Sequence, residues 1–178
     1  KLVCILEDHD TTGYTGGSSG TLAQAVSYWE SLQSILTGQE NWVIINIGNE
    51  AWGSTNTSGW INATKNAIIS MRNAGFKHTL IVDGPGWGQD DDHTMLYNAP
   101  SVEAVDSMHN TVFSVHMYNV YANPSTVDSY ISSFYNTGLP FIVGEFGSTQ
   151  SGAASSDAAD EIMYDTQSRG IGYMGWSW

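Results

Sequence analysis

Positive charge is scarce in this sequence. Its 178 residues include 5 Lys and Arg against 18 Asp and Glu, which gives a formal net charge of −13 at pH 7. A chain of this charge repels phosphate backbones and anionic lipid surfaces. We therefore expect no nucleic acid and no membrane as a partner.

Cysteine and long hydrophobic runs are also nearly missing. Cys4 is the single cysteine, so no intrachain disulfide can form, and its place in an apolar run predicts a buried, inert thiol. No stretch reaches the length of a membrane-spanning helix, and the first residues show no signal-peptide pattern. We expect any signal peptide to lie outside these residues.

Motifs for metals and for several enzyme classes are missing as well. The sequence has no H-E-x-x-H, and the scattered His78, His93 and His109 predict no zinc site. The run from Asp90 to His93 lacks the spaced acids and the glycine of a calcium loop, so it predicts a solvated loop. The absence of a G-x-S-x-G elbow argues against an esterase. We expect no metal and no organic cofactor.

Short apolar segments recur along the chain. Most are near-continuous, as expected for strands that are buried on both faces. The six predicted strands are Leu2 to Leu6, Trp42 to Ile47, Thr79 to Val82, Val112 to Val115, Phe141 to Val143 and Ile171 to Trp176.

Helical patterns with recognisable ends separate most of these strands. Capping residues, a Pro at a first helical position and Gly after a last turn mark the ends. The first predicted helix begins at Thr21, with Gln24 in capping-box spacing. The second contains Trp60 and stops at Gly75, the third follows Asn123 and Pro124 and ends at Gly138, and the last has Asp157 in its first turn and Gly170 after its end.

Alternating strands and helices predict a parallel sheet, either closed into a barrel or open and doubly wound. The glycines from Gly13 to Gly20 lack the G-x-G-x-x-G spacing of a nucleotide-binding turn. The strands recur about every 34 residues, close to the roughly 31 of an eight-unit barrel. We therefore predict one domain, residues 1–178, that supplies about strands 3 to 8 of a (β/α)₈ TIM barrel.

Carboxylates follow two of these strands. In α/β barrels the catalytic groups lie at the carboxyl ends of strands, and Glu50 and Glu145 each come shortly after an apolar run. The end of the barrel at which the carboxyl ends of the strands lie is called its mouth here. A pair of carboxylates at this mouth is the minimum requirement for glycoside hydrolysis. The structural alternative, a buried Glu paired with a base, is disfavoured because bases are so few.

Further polar residues lie beside this pair. Asn49 either binds a substrate hydroxyl or satisfies strand-end backbone groups, and its position does not separate these alternatives. His116 and Tyr118 alternate with Met117, so both should face the mouth. The 7 Trp and 9 Tyr can stack on sugar rings, although large aromatics also dominate protein cores.

Five segments, in this order, resemble glycoside hydrolase family 5, and specifically its bacterial-type β-mannanases. They are VIINIGNEAWG, HTLIVDGPGWGQ, FSVHMY, GEFG and GWSW, and the likeness runs from about Leu2 to Trp178. Each motif alone is weak. Five of them in order, at barrel-repeat spacing, are specific.

The resemblance implies a retaining double displacement without a cofactor. Glu50 matches the acid/base and Glu145 the nucleophile, while Asn49 matches the residue that binds the hydroxyl next to the reacting carbon. The resemblance also implies that His9 and His116 belong to the substrate site, that Tyr118 holds Glu145 and that Trp87 lies in the substrate cleft. Trp176 matches the aromatic platform under the sugar, or Trp178 does if the register slips by two. The family's arginine on its second strand, which orients the nucleophile, has no counterpart here.

The resemblance also implies substrate and setting. We expect a secreted, monomeric endo-β-1,4-mannanase that acts on β-mannan or a related polysaccharide. The alternatives are an endo-β-1,4-glucanase of the same family and a non-catalytic carbohydrate-binding barrel fragment. Retention of both carboxylates argues against the last alternative.

The assigned roles predict a geometry. The two carboxyl groups should lie ~5–5.5 Å apart, and the Tyr118 hydroxyl should donate to Glu145 over roughly 2.6–3.0 Å. Because that hydrogen bond favours a charged Glu145, we expect Glu50 to keep its proton more readily.

Overall fold

The computed structural model describes residues 2–14, 20–54, 56–148 and 155–177. These ranges contain strands and helices in strict alternation, with short 3₁₀ turns at His9–Thr11 and Asn119–Tyr121. The elements are β1 (Cys4–Glu7), α1 (Leu22–Leu36), β2 (Val43–Asn46), α2 (Ser58–Asn73), β3 (Leu80–Asp83), α3 (Thr94–Glu103), β4 (Thr111–Met117), α4 (Pro124–Tyr135), β5 (Phe141–Phe146), α5 (Ser156–Arg169) and β6 (Gly172–Gly175).

The six strands form one parallel sheet in sequence order. Each strand pairs with the next, and a helix covers each of the five crossovers, so the sheet curls into part of a (β/α)₈ barrel. The predicted fold class is confirmed. All six strands lie where the apolar runs predicted them, with ends shifted by at most three residues.

Local sequence signals define the helix ends. Thr21 and Gln24 form the predicted capping box at the start of α1. Asn123 accepts from the backbone of Ser125 at the start of α4, and Gly170 closes α5 in the left-handed conformation. Each of these groups satisfies backbone atoms that a helix end leaves unpaired.

Helix α3 was not predicted, and the solvated loop assigned before it is wrong for Asp90. That side chain is fully buried and accepts from the backbone of Met95 (2.6 Å) and Leu96 (3.0 Å) and from the Tyr130 hydroxyl (2.7 Å). Burial raises the pKa of Asp90 to about 6 despite these bonds. The carboxylate therefore anchors the first turn of α3 from four residues away, a spacing that a capping motif does not have.

Two buried tryptophans tie the outer helices to the sheet. The indole N–H of Trp29 on α1 donates to the carbonyl of Ile47 (2.9 Å). That of Trp60 on α2 donates to the carbonyl of Asp83 (2.8 Å). Both carbonyls lie at the carboxyl ends of strands, so these contacts fix the sheet at the edge where function was predicted.

The edge strands are the least buried part of the sheet. Most residues of β1 and β6 are exposed. Cys4 is among them, so the expectation of a buried thiol is wrong, because β1 pairs on one side alone among the described strands. In the described part of the chain, no helix has the length and apolar character that would carry it across a bilayer.

The opposite end of the sheet is held by a buried ion pair. Arg72 on α2 donates from Nε (2.7 Å) and Nη2 (2.9 Å) to the two oxygens of Asp106, and both side chains are almost fully buried. Arg72 also donates to the carbonyls of Phe76, His78 and Asn110, which precede β3 and β4. Burial alone would raise the pKa of Asp106, yet the Arg72 hydrogen bond and three further donors lower it well below its usual range.

We predict that Arg72→Met costs about 3–5 kcal/mol of unfolding free energy, because it leaves the Asp106 charge buried and unpaired. Chemical denaturation at pH 7 measures this loss. Since the folded-state pKa of Asp106 is lowered, its contribution is present above its unfolded pKa of about 3.9 and is lost as the pH falls below that. The matched control is Lys65→Met, which removes a cation of the same helix that forms no ion pair among the described residues. An equal loss in both variants would contradict the prediction.

Candidate active site

The carboxyl ends of β2 to β5 gather the predicted polar residues. Glu50 lies four residues beyond β2, Glu145 is within β5, and His116 is within β4. One oxygen of Glu50, one oxygen of Glu145 and one ring nitrogen of His116 lie within 4.8 Å of one another. Residues separated by 95 positions in the sequence are therefore adjacent at the mouth.

His116 lies at the centre of this group and is almost fully buried. Its Nδ1 is 2.9 Å from Glu50 Oε1 and 3.5 Å from Glu145 Oε2, and its Nε2 is 3.4 Å from Asp83 Oδ2. Three carboxylates thus surround one imidazole. Within the described ranges, no other basic side chain forms an ion pair with any of them.

A β-bulge brings His116 opposite Glu145. The pairing of β4 with β5 shifts by one residue after Val115, so that Gly144 is the extra residue and Glu145 becomes the partner of His116. A Cβ at Gly144 would collide with the Ser114 hydroxyl and approach His116 Nε2 to 3.2 Å. Bulges re-aim side chains beside active sites, and here the glycine makes room for the ring.

The loop after β3 folds over the same ring. Gly88 accepts the backbone N–H of His116 (2.8 Å) and has a φ of +73°. A Cβ there would lie 2.6 Å from His116 Cγ. Glycine is therefore required at position 88 both for its conformation and for its small size.

Tyr118 faces the mouth as the alternation with Met117 predicted. Its hydroxyl donates to Glu145 Oε2 over 2.6 Å, whereas Met117 is buried in the core. The predicted contact is confirmed. Its effect is to hold one oxygen of Glu145 in a fixed position.

Burial and charge set the protonation of the group. Burial raises the pKa of Glu145, and this outweighs the His116 charge and the Tyr118 hydrogen bond, both of which lower it. The pKa of His116 is raised well above its usual value, because Asp83 and the two glutamates overcome the effect of burial. The three carboxylates around the ring therefore favour its charged form.

The prediction that Glu50 keeps its proton more readily than Glu145 stays a prediction. The Tyr118 hydrogen bond on which it rests is present, but desolvation of the buried Glu145 side chain has the larger effect on the pKa of Glu145. Both arginines of the chain are engaged elsewhere, Arg72 with Asp106 and Arg169 with Asp165 and Asp128. No guanidinium among the described residues therefore stabilises the Glu145 charge.

Sequence reasoning missed Asp83 and Asn46. Asp83 directly follows the predicted third strand. It is buried, accepts from the Glu50 backbone N–H (3.0 Å) and from Asn46 Nδ2 (3.2 Å), and faces His116. The available signal was an acid that ends an entirely apolar strand without a nearby base. Such a residue must find its partners across the sheet.

The aromatic candidates line the rim. His9 stacks on Trp176 with ring centroids 5.7 Å apart and planes 6° apart. Trp176 and Trp87 expose 42% and 45% of their surface, which sets them apart from the buried tryptophans of α1 and α2. Trp87 lies against Gly13. The alternative platform, Trp178, lies outside the described residues.

Asn49 lies beside Glu50 and is buried. Its Nδ2 donates to the Thr12 hydroxyl (2.9 Å), and its backbone bonds to Asp8 and Thr11. Its Oδ1 has no hydrogen-bond partner among the described residues. The contacts observed for Asn49 are therefore those of the structural alternative, and the substrate-binding alternative stays a prediction.

In the described ranges, one group of side chains lies close enough together to bind a metal ion. It consists of Glu50, His116 and Glu145. A protonated imidazole has no ring lone pair to give to a metal. Since the pKa of His116 is raised well above its usual value, a metal ion would have to displace a proton from the ring in order to bind there. The chemistry available is that of two carboxylic acids a few ångströms apart.

Comparison with known proteins identifies the family. Residues 1–178 match the family described as cellulase (glycosyl hydrolase family 5). The chain belongs to glycoside hydrolase family 5. The family match extends over every residue of the site described above, which agrees with the resemblance seen in the sequence.

Relatives within family 5 include named mannanases. The chain is 49% identical over 179 residues to a mannan endo-1,4-β-mannosidase of Streptomyces lividans, covering all of this chain and 46% of that protein. It is 50% identical over 175 residues to β-mannanase/endoglucanase A of Caldicellulosiruptor saccharolyticus, covering 98% of this chain and 13% of that protein.

A solved family 5 structure shows the same fold. The β-mannanase from Thermomonospora fusca superposes with a TM-score of 0.94 at 49% identity, covering 99% of this chain and 59% of that one. That enzyme has also been solved as a mannohexaose complex. The chain thus spans about half the length of the curated mannosidase it matches.

We predict that Tyr118→Phe raises the pKa of Glu145 further, because it removes a hydrogen bond that favours the charged carboxylate. Carbon-13 NMR titration of the Glu145 carboxyl measures the shift. The matched control is Tyr121→Phe, which removes a neighbouring hydroxyl that donates to the Gln89 carbonyl and not to the carboxylates. An unchanged or lowered pKa in Tyr118→Phe would show that the contact does not stabilise the charge.

Proposed function

We propose that this chain is part of the catalytic barrel domain of a retaining, endo-acting β-1,4-mannan hydrolase. The observation that carries the proposal is the close pair Glu50 and Glu145 at the mouth, with oxygens within 4.8 Å. Retaining glycosidases place their carboxyl groups ~5–5.5 Å apart, whereas inverting enzymes need ~6.5–9.5 Å to admit a water. The named mannanases among its relatives support mannan as substrate.

In the proposed first step, Glu145 attacks the anomeric carbon of the sugar. Tyr118 holds Glu145 Oε2, so Oε1 is the oxygen that forms the bond. The glycosidic C–O bond breaks, and Glu50 gives its proton to the leaving oxygen. The product is a glycosyl ester on Glu145 and a free sugar chain end.

In the second step Glu50 acts as base. It takes a proton from a water molecule, whose oxygen attacks the anomeric carbon and displaces Glu145. Two inversions give net retention of configuration. The carboxylates perform every step, so the reaction needs no metal and no organic cofactor.

The rim residues fit the substrate side of the proposal. Trp176 and Trp87 present exposed ring faces on which sugars can stack. His9 packs on Trp176. Asn49 lies beside Glu50, and we propose that its amide binds the sugar hydroxyl next to the reacting carbon. Trp178 is kept as the alternative platform, and it lies outside the described residues.

The proposed setting follows from the substrate. A mannan polymer is too large to be taken up intact, so its hydrolysis belongs outside the cell, and we propose a secreted protein. An endo-acting barrel has its complete site in one chain, and we propose a monomer. Size-exclusion chromatography with light scattering measures the oligomeric state.

The second candidate function is endo-β-1,4-glucanase activity. One relative carries both names, β-mannanase and endoglucanase. The carboxylate pair serves both reactions, and the two sugars differ in one hydroxyl configuration. The third possibility, a non-catalytic carbohydrate-binding barrel, has no support from the intact carboxylate pair.

We predict that the natural protein carrying this sequence lowers the viscosity of mannan and releases reducing ends from it, with little release from cellulose. Endo cleavage lowers viscosity before many ends appear, so both quantities are measured over time. Release from cellulose alone would favour the glucanase. Binding of mannan without release from either polymer would indicate a binding module.

We predict that Glu50→Ala still forms the glycosyl ester from substrates with good leaving groups, and that azide restores its turnover. Glu145→Ala should lose the first step, with any azide product inverted. Mass spectrometry detects the ester, and NMR gives the configuration of the product. Glu40→Ala is the control, since Glu40 lies on the loop before β2, away from the mouth. Ester accumulation in Glu145→Ala rather than in Glu50→Ala would reverse the two roles.

A further inference from the structure

Asp83 is a buried carboxylate behind the proposed catalytic pair. It ends β3, between the strands that lead to Glu50 and to His116. Its side chain is fully buried, so no substrate can touch it. The proposed reaction uses two carboxylates and leaves this third one without a role.

The contacts of Asp83 reach both halves of the site. Its Oδ2 accepts from the backbone N–H of Glu50 (3.0 Å) and from Asn46 Nδ2 (3.2 Å) and lies 3.4 Å from His116 Nε2. The other ring nitrogen of His116 lies against Glu50 Oε1 and Glu145 Oε2. One buried charge is thus coupled to the acid/base through its backbone and to both carboxyls through the imidazole.

The backbone at Glu50 needs such an anchor. Glu50 has a φ of +43°, in the left-handed region that residues with a side chain rarely adopt. Strain of this kind persists where surrounding contacts fix it, and it concentrates at active sites. Here the N–H of Glu50 is held by Asp83 and its carbonyl by the N–H of Gly13 (2.9 Å).

The charge of Asp83 also acts on His116. The ionisable groups that face the ring are Asp83 from β3, Glu50 from the loop after β2, and Glu145 from β5, with Tyr118 beyond Glu145. Burial alone would deprotonate the ring, and Asp83 makes the largest contribution against that effect. The pKa of Asp83 itself is lowered by His116 and by its hydrogen bonds in spite of complete burial.

We propose that Asp83 is a positioning residue: its hydrogen bond fixes the strained backbone of Glu50, and its ion pair with His116 Nε2 holds the charged ring against both catalytic carboxyls. This inference rests on the proposed function for its catalytic consequence. The coupling of Asp83 to His116 does not depend on any activity. The two parts can therefore be tested separately.

The direction of the effect follows from the charges. In Asp83→Asn the ring of His116 loses its strongest acidic neighbour and gives up its proton at lower pH. Loss of the positive charge on His116 raises the pKa of Glu145, and loss of the negative charge on Asp83 lowers it. The first effect is the larger, so the pKa of Glu145 rises. The acid limb of the pH profile of kcat/KM, where activity rises as the nucleophile loses its proton, therefore moves to higher pH. The amide can still accept from Glu50 and can donate to Asn46 Oδ1, which has no partner among the described residues, so the fold is preserved.

The experiment compares Asp83→Asn with Asp106→Asn in the natural protein on mannan. We expect kcat of Asp83→Asn to fall by at least about tenfold with KM changed less than about twofold, since the residue does not touch substrate. We also expect the acid limb to shift upward. Asp106→Asn removes another buried carboxylate at the opposite end of the sheet, and it should lower the melting temperature without shifting the profile.

A spectroscopic measurement tests the coupling without activity. Nitrogen-15 NMR of the His116 ring in the unsubstituted protein should show both nitrogens protonated at pH 7, and Asp83→Asn should move that titration to lower pH. A neutral His116 at pH 7 in the unsubstituted protein overturns the proposal, whether or not Asp83→Asn folds. An Asp83→Asn profile that matches the unsubstituted one overturns it as well. If the unsubstituted protein leaves mannan intact, the proposed function fails, while the NMR titration still decides the role of Asp83.

Discussion

One buried imidazole organises the mouth of this partial barrel. His116 lies within 3.5 Å of oxygens from Asp83, Glu50 and Glu145, which arrive from three different parts of the sheet. Three carboxylates at these distances repel one another, and desolvation adds to that cost. A protonated ring between them offsets both effects. The bulge at Gly144, the glycine at position 88 and the contact from Asp83 all place or accommodate that ring.

The fold was largely predictable from the sequence because its signals are local. Capping residues, apolar runs and glycines after helices mark elements within a few residues, and each appears where the pattern predicts it. Helix α3 escaped prediction because Asp90 anchors its first turn from outside the capping position, and because Pro100 lies inside it. The exposure of Cys4 escaped prediction because burial depends on which strands flank β1, which its own residues do not specify.

The proximity of four candidate residues was predictable from the sequence, whereas the contacts of Asp83 and the pKa shifts in the group were not. Glu50, Glu145, His116 and Tyr118 were identified from their positions after strands, and the Tyr118 contact follows from alternation. The bulge that aligns His116 with Glu145 leaves no pattern in the sequence beyond a glycine. Asp83 gave no signal of its partners, since they come from strands on either side. The balance between burial and hydrogen bonding at Glu145 required the geometry.

The scarcity of cations gives these observations a common cause. In the described ranges both arginines stabilise the scaffold, Arg72 beneath the sheet and Arg169 on α5. Among the described residues, the basic side chain that contacts the carboxylates of the mouth is His116, whose charge depends on its neighbours. The ionisable groups of the mouth therefore titrate as a coupled set. A change in the charge of one carboxylate changes the pKa of the ring and, through the ring, the pKa values of the other carboxylates.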